Sequence, residues 1–416
     1  MKQRRMINSM LIATIVSFVL ITGCVCKNQT PVISEIQTHI MVPGSSHTGL
    51  WLGSGLFCEP SEQPNNFHIF FSETDRKGGD SMQKLLYYTV DSFPENEDSI
   101  SLWKEKWVEQ PYPEELKPRI DESGYEWVPT FNWKYHKKSG NWLGIGHLLR
   151  QKDKRLSDHA EHLAITYSVY NSSTKTFSEW KSFQIKVEGN EKPSVAYGQR
   201  VDLENGDILV PFRVLRDYIG KNSLGWCGAA HCKFDGNELK LSRISNLFTN
   251  QVPRGLSEPS MAFYNNKYYM TLRAQDGFSH ITTSSDGMVW DEPQPWKWDD
   301  GTSIAMNQTM TKFIAHSEAL YLVYCRITPD NINVMRNRAP LFIALVDSER
   351  KCLVQDSEQI IFPNRGLPIG NFSIRNVSPL ESWVTVSEWD RTGKDIQCDV
   401  LLGRIIWSKS NKNLFK

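Results

Sequence analysis

The sequence predicts an all-β protein, a β-propeller of six four-stranded antiparallel blades. Three observations support this. A short apolar strand recurs six times, each copy follows another strand-like run, and Trp recurs at comparable points after several of them. No long amphipathic helix interrupts the pattern.

The recurring runs are Phe67–Phe71, Trp142–Gly146, Asp207–Phe212, Tyr268–Leu272, Leu320–Tyr324 and Ser382–Val386, five intervals averaging 63 residues. Before them come Leu52–Cys58, Trp127–Trp133, Ser194–Leu203, Ser260–Tyr264, Thr311–Ala315 and Asn371–Val377. Both sets are rich in Val, Ile, Tyr, Phe and Trp and bounded by Gly, Asn, Asp and Pro, as strands and turns require. Trp103, Trp107, Trp180, Trp290, Trp296 and Trp407 follow, and flat indoles there can wedge between neighbouring blades. A pair of β-sandwiches would need a linker or composition break after residue 35, and none is visible.

Composition narrows the function. The 416 residues include 47 basic and 47 acidic side chains, so there is no basic surplus of the kind that nucleic-acid binding requires. A mean hydropathy of −0.43 argues against a polytopic membrane protein. No P-loop or dinucleotide fingerprint occurs in a strand-turn-helix context, so no cofactor is expected. A monomer is expected.

The N-terminus reads as an address. Lys2, Arg4 and Arg5 precede an apolar stretch, Leu11–Ile21, too short to span a bilayer as a mature helix. Leu20-Ile-Thr-Gly-Cys24 resembles a bacterial lipobox. The expected organisation is a lipoprotein signal peptide at 1–23, a tether at 24–35 and the propeller at 36–416. Cys24 would carry the lipid, and the chain would be exported to the cell envelope with no other membrane contact. The other seven Cys are odd in number and scattered, which excludes a dense disulfide framework. Cys227 and Cys232 bracket His231, but the spacing is no recognised ligand pair and a strand would turn His231 and Cys232 to opposite faces. Buried thiols or one disulfide are expected there, and no metal.

The sharpest motif is Thr282-Thr-Ser-Ser-Asp-Gly-Met-Val-Trp290. It resembles the Asp-box turn of sialidases, one residue shorter between Asp and Trp. Asp286 would accept backbone N–H bonds and Gly287 would supply positive φ. Before it come Ser257-Glu258-Pro259, an apolar strand, and Tyr268–Arg273; after it comes Arg336-Asn-Arg338-Ala-Pro. This order resembles the sialidase superfamily over roughly residues 190–410. The resemblance implies a six-bladed propeller, gives Glu258 the place of a buried catalytic Glu, and gives Arg273 and Arg338 two arginine places. Planar guanidinium forks suit the carboxylate of an acidic sugar. Arg213 and Arg326, also near strand ends, are expected to share the same funnel.

Two departures stand out. Val42–Leu50, where the family's first Arg belongs, contains none, and Phe372 occupies the place of the nucleophilic Tyr. His47, at the entry to the first inner strand, and Tyr197, in the third unit, could instead act as acid or base. The expected function is therefore an exo-glycosidase on acidic glycans, sialic-acid-like or uronate. A propeller lyase on uronate polymers, using His47, Tyr197 and Arg213, and a non-catalytic glycan-binding lipoprotein are the alternatives. Asp75, Asp80 and Glu73 are local acid/base candidates, whereas His68 and the pair His159 and His162 read as structural or solvated.

Overall fold

The computed structural model describes residues 32–413 except 45–48, 53–54, 60–64, 75–83, 95–99, 101, 153–154, 157–163, 188–193, 197, 220–221 and 391–396. Its strands form six antiparallel sheets, one for each predicted blade. Every recurring run falls on the second strand of a blade, with Asp207 just ahead of its strand: Asn65–Thr74, Asn141–Lys152, Ile208–Ile219, Lys267–Arg273, Leu320–Tyr324 and Glu381–Ser387. The runs before them supply the innermost strands. Blades 4 and 6 have four strands, blades 1, 3 and 5 have five, and blade 2 has eight. The surplus arises because edge strands are broken in two. In blade 1, both Gly49–Trp51 and Leu56–Glu59 pair with Asn65–Thr74. In blade 2, the long strand Asn141–Lys152 pairs first with Asn132–His136 and then with Glu126–Pro129.

The ring closes in blade 6. Its order is Ser373–Ser378, Glu381–Ser387, Val400–Trp407 and finally Ile33–Val42, so the first strand of the chain is the outer strand of the last blade. The propeller thus begins at Ile33, inside the stretch read as tether. Val32 and Ile33 are buried in the core shared by blades 5 and 6, which is what fixes this strand.

Aromatic wedges fill the seams between blades. Trp383 of blade 6 stacks on Phe67 of blade 1 at 5.3 Å between centroids and 6° between planes, with Trp103 edge-on to both. Trp133 of blade 2 packs on Phe57 of blade 1, Trp296 of blade 4 on Phe313 of blade 5, and Trp407 of blade 6 on Tyr321 of blade 5. Each indole removes a large apolar area from water across a seam that has no backbone ladder of its own.

The Asp-box turn forms as its sequence predicts. Asp286 Oδ1 accepts the Met288 and Val289 N–H groups at 2.8 Å each, Gly287 has φ of 75°, and Trp290 Nε1 donates to the Gly287 carbonyl. Three other blades repeat the turn between their third and fourth strands without the full motif. Asn171 accepts from Ser173 and Thr174, Asp235 from Asn237 and Glu238, and Asp347 from Glu349 and Arg350. Replacing Asp286 by Ala removes the one oxygen that accepts both N–H groups and is expected to cost about 1–2 kcal/mol, read as a lowered urea midpoint with unchanged slope.

The innermost strands all start at one end of the channel, here the upper end. Ser257, Lys312 and Ser373 lie there, and Tyr264, Ala315 and Ser378 lie at the lower end.

Candidate active site

The upper end gathers charge from three blades. In blade 4 the ladder between Ser257–Tyr264 and Lys267–Arg273 shifts register between Ser257 and Ser260. Glu258 sits in that irregularity with φ of 49°, a left-handed conformation disfavoured for a side chain and stabilised here by its surroundings. Its Oε1 accepts from Arg273 Nη1 at 2.8 Å, and its buried Oε2 has no partner among the described residues.

Arg338 comes from blade 5, after the turn Met335–Asn337. Asn337 Nδ2 donates to the Asn331 carbonyl, and the Arg338 carbonyl accepts from Ile369 N at 2.8 Å, so the backbone is held on both sides. Arg213 comes from the second strand of blade 3, opposite Cys227. Its Nη2 donates to the Arg254 carbonyl at 3.3 Å, and its Nε lies 2.4 Å from where a Cβ on Gly225 would stand. Gly225 is therefore required for this guanidinium to lie flat against its strand. Arg213, Arg273 and Arg338 are all buried, and Arg213 Nε and Arg338 Nε have no hydrogen-bond acceptor among the described residues.

The electrostatics are mutual. Burial pushes the Glu258 carboxyl up, but Arg273, Arg338 and Arg213 outweigh it and hold the group below the ordinary carboxylate range. Burial lowers Arg338, against the pull of Glu258, and Arg273 adds repulsion. Arg254, which the sequence reading overlooked, keeps an exposed side chain yet feels the same set: partial desolvation, then Arg273 and Arg213, lower it and Glu258 opposes them.

A second overlooked group lies just beneath. Lys312, first residue of the inner strand of blade 5, is buried; its Nζ donates to the Phe372 carbonyl at 2.7 Å and sits 5.7 Å from the Phe372 ring centroid. Burial and Arg375 push its ammonium down to about 7, against Glu258. A lysine depressed in the folded state is shed of its proton there while the unfolded chain still holds one. Stability therefore rises with pH from about 7 toward the unfolded lysine range. Lys312→Met is expected to remove that rise, measured as urea midpoints at pH 6 and pH 9.

Phe372 is buried at the place where the family resemblance expects the nucleophilic Tyr, and it offers no hydroxyl. Arg326 is not brought to the cluster. Its guanidinium forms a two-pronged pair with Glu358 at 2.8 and 2.7 Å and lies over Trp298 and Phe342, inside blade 5. A well-paired guanidinium already has its carboxylate, which is why position near a strand end was a poor guide. His47, Tyr197, Asp75, Asp80, His159, His162 and Cys24 lie outside the described residues.

The remaining motifs resolve structurally. Cys227 and Cys232 are free thiols in two different core clusters, both pushed up to about 12 by burial, while His231 Nε2 pairs with Asp207 at 2.9 Å. His68 stacks on Phe57, and its Nδ1 lies 2.6 Å from the Tyr87 hydroxyl. At the lower end a cavity of about 1250 Å³ is lined by Lys134, Arg200, Asp202 and Arg375 among others. There Arg200 pairs with Asp202 at 2.8 Å, and Arg375 donates to the Leu56 carbonyl and Asn132 Oδ1, tying blade 6 to blades 1 and 2.

No protein-family model and no curated protein matches the chain. Solved structures do match. A protein of unknown function from Dyadobacter fermentans aligns with TM-score 0.59 and 12 % identity over 90 % of this chain and 100 % of that one. Trypanosoma rangeli sialidase aligns with TM-score 0.58 and 12 % identity over 89 % of this chain. The same sialidase in complex with sialic acid aligns with TM-score 0.54. This chain spans 59 % of that sialidase's length. The fold is a sialidase-like β-propeller.

Proposed function

We propose that the upper mouth acts on acidic glycans as an exo-glycosidase of the sialidase type. Arg273 and Arg338, with Arg213 beside them, hold the carboxylate of the terminal sugar. What supports this most is the meeting of one ionised, half-buried carboxylate with three buried guanidiniums at one end of the channel. Glu258 offsets part of their charge and, with Oε2 unpartnered among the described residues, can accept a hydrogen bond from an incoming hydroxyl or water.

One observation favours a second reading, capture without cleavage: Phe372 is buried where a nucleophile would stand. Release of terminal sialic or uronic acid from a glycan panel, measured alongside binding, separates the two. Release that is lost in Glu258→Gln supports hydrolysis, and binding without release supports capture. Unsaturated uronate products would instead indicate a lyase. No binding and no release, with Arg273→Ala indistinguishable from wild type, overturns the reading. The proposal includes export and lipid attachment at Cys24, on the sequence signals alone; Cys24→Ser should move the protein from the membrane fraction to the soluble one.

A further inference from the structure

We propose that the upper mouth takes a glycan end bearing two anionic groups. The sugar carboxylate lies at Arg273 and Arg338, and a second carboxylate or a sulfate ester lies at Arg254 on the rim beside blade 3. This rests on the reading above that the mouth binds an acidic sugar.

The charge balance is the first ground. Arg213, Arg254, Arg273 and Arg338 gather around Glu258, which bonds Arg273 while Arg213 bonds the Arg254 carbonyl, so among the described residues four guanidiniums face this one carboxylate. One sugar carboxylate leaves most of that charge uncompensated, and like charges held this close repel. Arg254 is the cation with the clearest vacancy. Its side chain is exposed and makes no hydrogen bond or ion pair among the described residues.

Its backbone, in contrast, is fixed. The Arg254 carbonyl accepts from Gly225 N at 3.0 Å and from Arg213 Nη2 at 3.3 Å, and Leu256 N donates to the Gly225 carbonyl at 3.0 Å. The loop therefore lies on the strand that carries Gly225, over Arg213. The pinned backbone fixes where this guanidinium is anchored, and the exposed side chain is open to an anion arriving from solvent.

Local strain is the second ground. Arg254, Glu258, Arg336 and Asn337 all have positive φ, of 67°, 49°, 54° and 53°. Such backbones cost about 1 kcal/mol or more each and cluster where a ligand is held. Here they lie in the two segments that bring the cations of blades 3, 4 and 5 together.

The test is calorimetric titration of the full chain with three glycosides: a single sialic acid, a sialic acid dimer with two carboxylates, and a sialic acid linked to a sulfated sugar. Wild type should bind at least one doubly charged probe about tenfold tighter than the single one, as one charge-assisted contact warrants. Arg254→Gln should erase that advantage and Arg254→Lys should keep part of it. Whichever doubly charged probe shows the advantage identifies the second anion. Equal affinity for all three probes, or an advantage untouched by Arg254→Gln, overturns the inference and leaves the acidic-sugar reading standing. No binding of any probe by wild type overturns both.

Discussion

Replacing Arg273 by Ala should abolish acidic-sugar binding and destabilise the fold together. The substitution takes away the hydrogen-bonding partner of Glu258 and leaves a half-buried carboxylate whose buried second oxygen already lacks one among the described residues. Breaking one side of a buried pair costs about 3–5 kcal/mol, because the remaining charge stays desolvated. Binding should fall by at least about a hundredfold, since a fork on the sugar carboxylate is lost as well. The double variant Arg273→Met with Glu258→Gln separates the two effects. It should recover much of the stability, because no orphan carboxylate is left, and none of the binding. A double variant as unstable as Arg273→Ala would refute the ion-pair account.

The second large effect belongs to a seam. Trp383→Ala should destabilise the propeller by about 3–5 kcal/mol, the cost of deleting a fully buried indole that the surroundings cannot collapse upon. The loss should couple to Phe67→Leu, since the two rings stack across blades 6 and 1, and should be near additive with Trp296→Ala in the seam between blades 4 and 5. Urea unfolding of single and double variants measures both. Additivity of Trp383→Ala with Phe67→Leu would deny the wedge its bridging role.

These two predictions mark what the sequence could and could not tell. The second strands of all blades were legible because each is a buried run of β-branched and aromatic residues, whose pattern does not depend on distant partners. The Asp-box at Asp286 was legible because its Gly and Trp accompany it. The equivalent turns at Asn171, Asp235 and Asp347 were not, since an Asx side chain capping two N–H groups is the only part they share. At the upper mouth, order along the chain singled out Glu258, Arg273 and Arg338, which the fold brings together. Arg254 was missed because its importance comes from a loop folded onto Gly225, and Lys312 because a lysine at the start of an apolar strand looks solvent-facing. Arg326 misled for the converse reason: its partner Glu358 is 32 residues away and invisible to local reading.

Closure of the ring in blade 6 has an orientational consequence. Ile33 pairs with Trp407 and Val42 with Val400, while Ser387 pairs with Val400 and Thr385 with Ser373. The first strand therefore enters at the lower end and climbs toward the arginines. Ile33 stands at the end of the propeller away from Glu258, and the chain's first strand and its cationic mouth are joined along the outer edge of a single blade.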